Sequence, residues 1–220
     1  HNTYMGFVLY GKNGLLILRN NLDRKDNSDP PDLTIVPQPE ELAALTAIRA
    51  ITAADLDHDG DLDLVISAAS GLSLWFNRGN MTFVDMSALS DLRCPAVPFT
   101  SLVAVDWDRD VDTDVVLSGP DAQALGLLEN LRHGQFRWRS WASLYPDAPP
   151  ARAIVVAELD GNVSWDLVRG GATGLGSIRT TTSVPGSVQP LEVQQWDSKP
   201  YTHLQGWDYD NDGRRDVVGI

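Results

Sequence analysis

The chain of 220 residues has a single cysteine, Cys94. It can form no internal disulfide and offers no cysteine-based zinc site. That scarcity leaves the redox compartment open. No apolar run approaches the roughly 18 residues that a membrane-crossing helix needs. Basic residues are few, 17 against 30 acidic, for a net charge of −13. A nucleic-acid partner needs a basic footprint, and an anionic membrane surface needs one too, so both are excluded as expectations. Cations, basic partners or plain solubility remain. There is no G-x-S-x-G, and no Ser, His and acid stand in a motif that supports nucleophilic catalysis. Gly170-Gly-Ala-Thr-Gly-Leu-Gly176 is glycine-rich, but no helix pattern follows it, so it reads as a hairpin turn and not a phosphate cradle.

The acid that is present is concentrated. Four windows hold more than half of it: 55–63 (DLDHDGDLD), 106–114 (DWDRDVDTD), 158–166 (ELDGNVSWD) and 208–216 (DYDNDGRRD). Their starts recur about every 51 residues, a period that marks a repeat architecture. The flanks recur as well. Short apolar and β-branched runs precede each window, as in Ile48–Ala54 and Ala151–Ala157, and follow it, as in Leu64–Ser67 and Val115–Ser118. Such runs read as strands, so each window is a loop between two strands. After the second strand come a Gly turn, a third apolar run ending at an Asn (Asn77, Asn130), another turn and an aromatic (Phe83, Phe136). Four short strands per period point to an all-β β-propeller built of four-stranded antiparallel blades.

The run Ala54–Val65 followed by Leu74–Asp85 closely resembles FG-GAP/VCBS repeats, those of integrin α-like propellers and of bacterial surface or secreted proteins of the ASPIC/UnbV type. The resemblance spans residues 48–220 in four copies and is weakest in the third. The expected organisation is an incomplete blade at 1–47 with a polar insertion at 22–32. Blades follow at 48–98, 99–150 and 151–200, and a further blade starts at 201–220. Residues 7–20 align with 64–77 when Gly14 is laid on Gly71. The chain therefore opens and ends in a second strand, which disfavours a closed four-blade ring. The expectation is a portion of a larger propeller.

Several carboxylates within nine residues repel one another unless a cation neutralises them or water solvates them. Ca²⁺ takes six to eight oxygens and tolerates irregular geometry. Positions 1, 3, 5 and 9 of such a loop supply carboxylates, and position 7 supplies its carbonyl. The first candidate site is Asp55, Asp57, Asp59 and Asp63 with the carbonyl of Asp61. The second is Asp106, Asp108, Asp110 and Asp114 with Asp112. The fourth is Asp208, Asp210, Asp212 and Asp216 with Arg214. The third, Glu158, Asp160, Asn162, Ser164 and Asp166, is a weaker candidate or a vestigial turn. Gly60 and Gly213 at position 6 suit a positive φ, whereas Val111 in that place threatens the turn. An EF-hand also begins D-x-D-x-D-G, but it needs Glu at position 12 and helical flanks. Here position 12 is Ile66 or Gly219, and the flanks are strands.

The remaining singled-out residues are expected to be structural. His58 points outward into solvent, and His203 is a satisfied histidine of an inner strand. Most tryptophans pack between blades, while Trp138 and Trp141, beside Arg137 and Arg139, are the candidates for an exposed surface. Residues 37–45 hold a short helix. The function expected is a non-catalytic, Ca²⁺-binding recognition or adhesion scaffold. It would be extracellular, cell-surface or periplasmic, with a protein or glycan ligand. The alternatives are a propeller lectin, or the scaffold or carbohydrate-binding part of a polysaccharide-degrading enzyme.

Overall fold

The computed structural model describes residues 6–21, 32–90, 92–142, 144, 148–181 and 189–220. Apart from Asp32, the insertion expected at 22–32 lies outside the described residues. Strands β1 (Phe7–Gly11), β2 (Gly14–Asn20) and β3 (Leu33–Ile35) form a three-stranded sheet. The helix α1 (Glu40–Ala43) follows, within the expected span. Three four-stranded sheets come next. The first holds β4 (Ala50–Ala54), β5 (Asp63–Ala68), β6 (Gly71–Asn77) and β7 (Phe83–Asp85). The second holds β8 (Ser101–Val105), β9 (Asp114–Ser118), β10 (Gly126–Asn130) and β11 (Phe136–Ser140). The third holds β12 (Ala153–Ala157), β13 (Asp166–Gly171), β14 (Gly174–Thr181) and β15 (Gln189–Gln195). Strands β16 (Leu204–Trp207) and β17 (Asp216–Gly219) pair as a hairpin. Every sheet runs in chain order and is antiparallel throughout.

The second strand of each four-stranded blade is buried on both faces, which is why it reads as a continuous apolar run and not an alternating one. Its two faces serve different neighbours. Leu64, Ile66 and Trp75 pack with Ile17 and Leu42 of the preceding unit. Val65, Leu74 and Phe76 face the other way, onto Phe99, Val115, Leu117 and Leu128. Val116 and Leu127 continue the stack onto Ile154, Val156 and Leu167. The period of two along each strand thus glues one sheet to the next on both sides. The first strands β4, β8, β12 and β16 run beside one another in series. Side chains stitch them: Ser67 Oγ donates to the Phe99 carbonyl at 2.8 Å, and Thr100 Oγ1 to the Arg152 carbonyl at 2.7 Å. Face-to-face stacking of four-stranded antiparallel sheets with first strands adjacent is the architecture of a β-propeller.

The alignment of residues 7–20 with 64–77 holds in three dimensions. Gly11↔Gly14, Ala68↔Gly71 and Gly171↔Gly174 close equivalent two-residue hairpins. Gly14, Gly71 and Gly174 all carry φ near +120° (122°, 116° and 125°), a region that favours glycine. The glycine-rich run at 170–176 is this hairpin, as expected.

Three side chains differ from the sequence reading. Trp141 is buried, its ring tilted against Trp107 with centroids 4.8 Å apart, and its backbone N–H donates to the Leu125 carbonyl. Trp138 sits in β11 and meets Phe99 edge-on at 5.7 Å. Arg137 and Arg139 alternate with Trp138 on that strand and pair with Glu129, so the ring takes the opposite, inward face. His203 precedes β16 and is exposed, because the β16–β17 hairpin has no third strand among the described residues. Cys94 packs against the core, and burial pushes its thiol up to about 12, which keeps it unreactive at neutral pH.

Candidate metal centres

The four acidic windows form the loops β4–β5, β8–β9, β12–β13 and β16–β17, and they share one internal geometry. The ninth residue is the anchor. One oxygen of Asp63 accepts the N–H of Leu56 at 2.9 Å, and the other accepts that of Asn77 at 2.8 Å. Asp114 does the same with Trp107 (3.1 Å) and Asn130 (2.7 Å), and Asp166 with Leu159 (2.9 Å) and Thr180 (2.7 Å). In the fourth loop Asp216 accepts from Tyr209 at 2.9 Å. The ninth acid therefore ties the loop to the third strand of its own blade. The donor is a backbone N–H, so the residue type there is free, and Thr180 stands where the other blades have Asn77 and Asn130.

The first residue closes the turn. Asp55 accepts from Gly60 N–H at 3.1 Å, Asp106 from Val111 at 3.1 Å and Asp208 from Gly213 at 2.9 Å. The fifth residue makes an Asx turn onto position 7: Asp59 to Asp61 (2.9 Å), Asp110 to Asp112 (3.0 Å), Asn162 to Ser164 (2.7 Å) and Asp212 to Arg214 (2.8 Å). Position 6 has positive φ in every loop: Gly60 91°, Val111 81°, Val163 70° and Gly213 83°. Val111 thus adopts the turn instead of distorting it, at the cost of backbone strain. Its side chain is 73% exposed, so it gains no burial in return. Val111→Gly is expected to stabilise the protein by about 1 kcal/mol, strain relief outweighing the added chain entropy. Urea denaturation measures this, and a destabilised variant would count against the strain.

In each loop the first, third and ninth acids bring one oxygen apiece within 4.8 Å of one another: Asp55, Asp57 and Asp63; Asp106, Asp108 and Asp114; Glu158, Asp160 and Asp166; Asp208, Asp210 and Asp216. The fifth residues Asp59, Asp110 and Asp212, also expected as ligands, lie outside these convergent trios. Burial pushes the ninth-position acids Asp63 and Asp114 up, to about 6 and about 7. Asp57 and Asp108 are raised by burial and by the neighbouring acids Asp59 and Asp110. Asp55 Oδ1, Asp106 Oδ1 and Asp108 Oδ1 are buried and accept no hydrogen bond. A buried carboxylate oxygen without a donor is costly unless a cation faces it. The donors are all oxygen, which suits a hard divalent ion and not a thiolate- or imidazole-seeking one.

Neighbouring loops also touch. His58 Nε2 lies 2.9 Å from Asp112 Oδ1, and Arg132 holds the other Asp112 oxygen. His58 is therefore half-exposed and bonded across blades, not simply solvated. Burial pushes the Asp112 carboxyl up, but the hydrogen bonds from Arg132 and His58 outweigh it and hold it below the usual range. A cleft of about 340 Å³ opens between the first two loops, over Leu56, Asp57, Val111 and His133. Trp165 Nε1 donates to the Asp106 carbonyl at 2.7 Å, tying the third loop to the second.

Residues 55–117 match the family model of the FG-GAP-like repeat. Cartilage acidic protein 1 of Mus musculus is 27% identical over 124 residues, covering 56% of this chain and 19% of that protein. The Homo sapiens protein of the same name is 28% identical over 95 residues, covering 43% and 14%. The chain thus spans less than a fifth of these curated relatives. Among solved structures, an Agrocybe aegerita lectin, described as specifically recognising non-reducing terminal N-acetylglucosamine, matches with a TM-score of 0.63. It is 16% identical, over 98% of this chain and 57% of that one, a likeness that shows the fold. Residues 55–117 thus match an FG-GAP-like repeat, within a chain folded as a β-propeller.

Proposed function

We propose that this protein is a non-catalytic recognition scaffold whose blades are held by Ca²⁺, working outside the cell or at its surface. The observation that carries the metal reading is the set of convergent carboxylates with buried oxygens that no donor meets. Asp55, Asp57 and Asp63 would hold one ion, assisted by Asp59 and the Asp61 carbonyl. Asp106, Asp108 and Asp114 would hold a second with Asp110 and Asp112. Asp208, Asp210 and Asp216 would hold a third with Asp212 and Arg214. A bound cation neutralises each loop and fixes the ends of two strands, which keeps the inter-blade cleft and the loop face rigid for a protein or glycan ligand. Extracellular calcium is millimolar, so even weak sites of this kind would fill there. No helix among the described residues is long and apolar enough to cross a membrane.

Calorimetric titration tests this reading, because calcium and protons compete for the same oxygens. Asp63 and Asp114 are pushed up to about 6 and about 7 in the absence of metal, from an ordinary value of 3.8. Their ionisation therefore costs the metal-free fold stability as pH rises through that window, and the cation removes the cost. Calcium affinity is expected to fall as pH drops from 8 to 5.5, with proton release on binding. No calcium uptake at pH 8 would end the metal reading. A glycan array then separates a glycan ligand from a protein one.

A further inference from the structure

We infer that the third loop carries its own cation, the Arg179 guanidinium, and takes no calcium where the other three do; this rests on the calcium reading of those loops. Arg179 Nε lies 3.3 Å from Asp160 Oδ2, the third-position carboxylate of the window, and Nη1 lies 3.7 Å from Glu192. Register places Arg179 opposite the ninth acid: Leu167 pairs with Ile178, so Asp166 faces Arg179. The equivalent residue is Phe76 in the first full blade, where Leu64 pairs with Trp75, and Glu129 in the second, where Val115 pairs with Leu128. Phe76 is core and brings no charge. Glu129 is acidic and helps to raise Asp108. Among these three blades, a cation reaches the loop from this position only in the third.

The rest of the third window agrees. Glu158, one methylene longer than the Asp elsewhere, turns its Oε1 back onto the N–H groups of Asp160 and Gly161. The fifth position is neutral Asn162, whose Nδ2 donates to the Thr180 carbonyl at 2.9 Å. Fewer negative charges and one tethered positive charge leave a divalent ion little to neutralise and a guanidinium to repel it. The blade would then keep its loop ordered at any calcium concentration, Arg179 and the inter-blade Trp165 bond acting in place of the metal.

Calcium stoichiometry of the full chain decides this. Calorimetry is expected to give three ions for the wild type, and Asp160→Asn should leave that number at three, while Asp57→Asn lowers it by one. Arg179→Met, with folding checked by circular dichroism, should raise it to four. Four ions in the wild type, or loss of one in Asp160→Asn, would overturn the tethered-cation reading while leaving the calcium reading of the other loops intact. A folded Arg179→Met that still takes three would overturn it too. A wild type that binds none fails one step earlier, at the calcium reading itself.

Discussion

Removing calcium with a chelator is expected to lower the melting temperature by roughly 20 °C. An ion that binds only the folded state stabilises it by about 2.7 kcal/mol per site at a hundredfold excess over Kd. Three such sites act together, and in a domain of this size each kcal/mol moves the midpoint by about 2–4 °C. The reason lies in the loops. Asp55 Oδ1, Asp106 Oδ1 and Asp108 Oδ1 are buried with no donor, and the trios crowd three carboxylates into less than 5 Å. Without a cation those charges must protonate or move apart, and moving apart pulls on β5 and β9, which are buried at every residue. Calcium should restore the midpoint and magnesium should not, because Mg²⁺ demands near-ideal octahedral geometry and gives up its water reluctantly. Differential scanning calorimetry with chelator, then calcium, then magnesium gives the answer. A melting curve indifferent to chelation would mean that the loops are held by their hydrogen bonds alone.

The second large effect is expected from Asp114→Ala. Asp114 is 1% exposed and accepts the N–H groups of both Trp107 and Asn130. Truncation leaves two backbone donors without acceptors, each worth about 1–3 kcal/mol, and deletes one member of the trio. Part of that loss is returned, because the wild-type carboxylate is itself costly to bury, its pKa pushed up to about 7. The net loss should be about 3 kcal/mol without calcium and larger with it. Asp110→Ala, compared with chelator present, is the control: Asp110 is exposed and makes an Asx turn onto Asp112, so without calcium its loss should cost under about 1 kcal/mol. Equal effects of the two variants in urea denaturation would show that the ninth acid is no anchor.

Much of this molecule was legible in one dimension. The period near 51 residues, the strand-like flanks and the Gly14-on-Gly71 alignment lead to the blades, because a strand buried on both faces shows as a short unbroken apolar run and a hairpin's register in its glycine. The choice of strands over EF-hand helices came the same way, from what stands at position 12. Side-chain direction at strand ends was harder. Trp138 stands between two arginines in sequence and turns the other way, edge-on to Phe99, since neighbouring residues on a strand face opposite sides. His58 belongs to one loop in sequence and is bonded to the next in space.

Sequence by itself determined the repeat, the strand order within each blade and the positions of the acidic loops, because these depend on local spacing and on a period of two. Tertiary structure decided which acids converge. The nine-residue spacing treats Asp59 and Asp63 alike, yet the fold turns the first into an exposed Asx turn and buries the second between two backbone donors. It also decided that Asp112 reaches the neighbouring blade through His58 while Arg132 of its own blade holds its other oxygen, and that Arg179, 19 residues along the chain from Asp160, stands over the third loop. Those pairings arise from strand register and sheet stacking, which bring together residues distant along the chain.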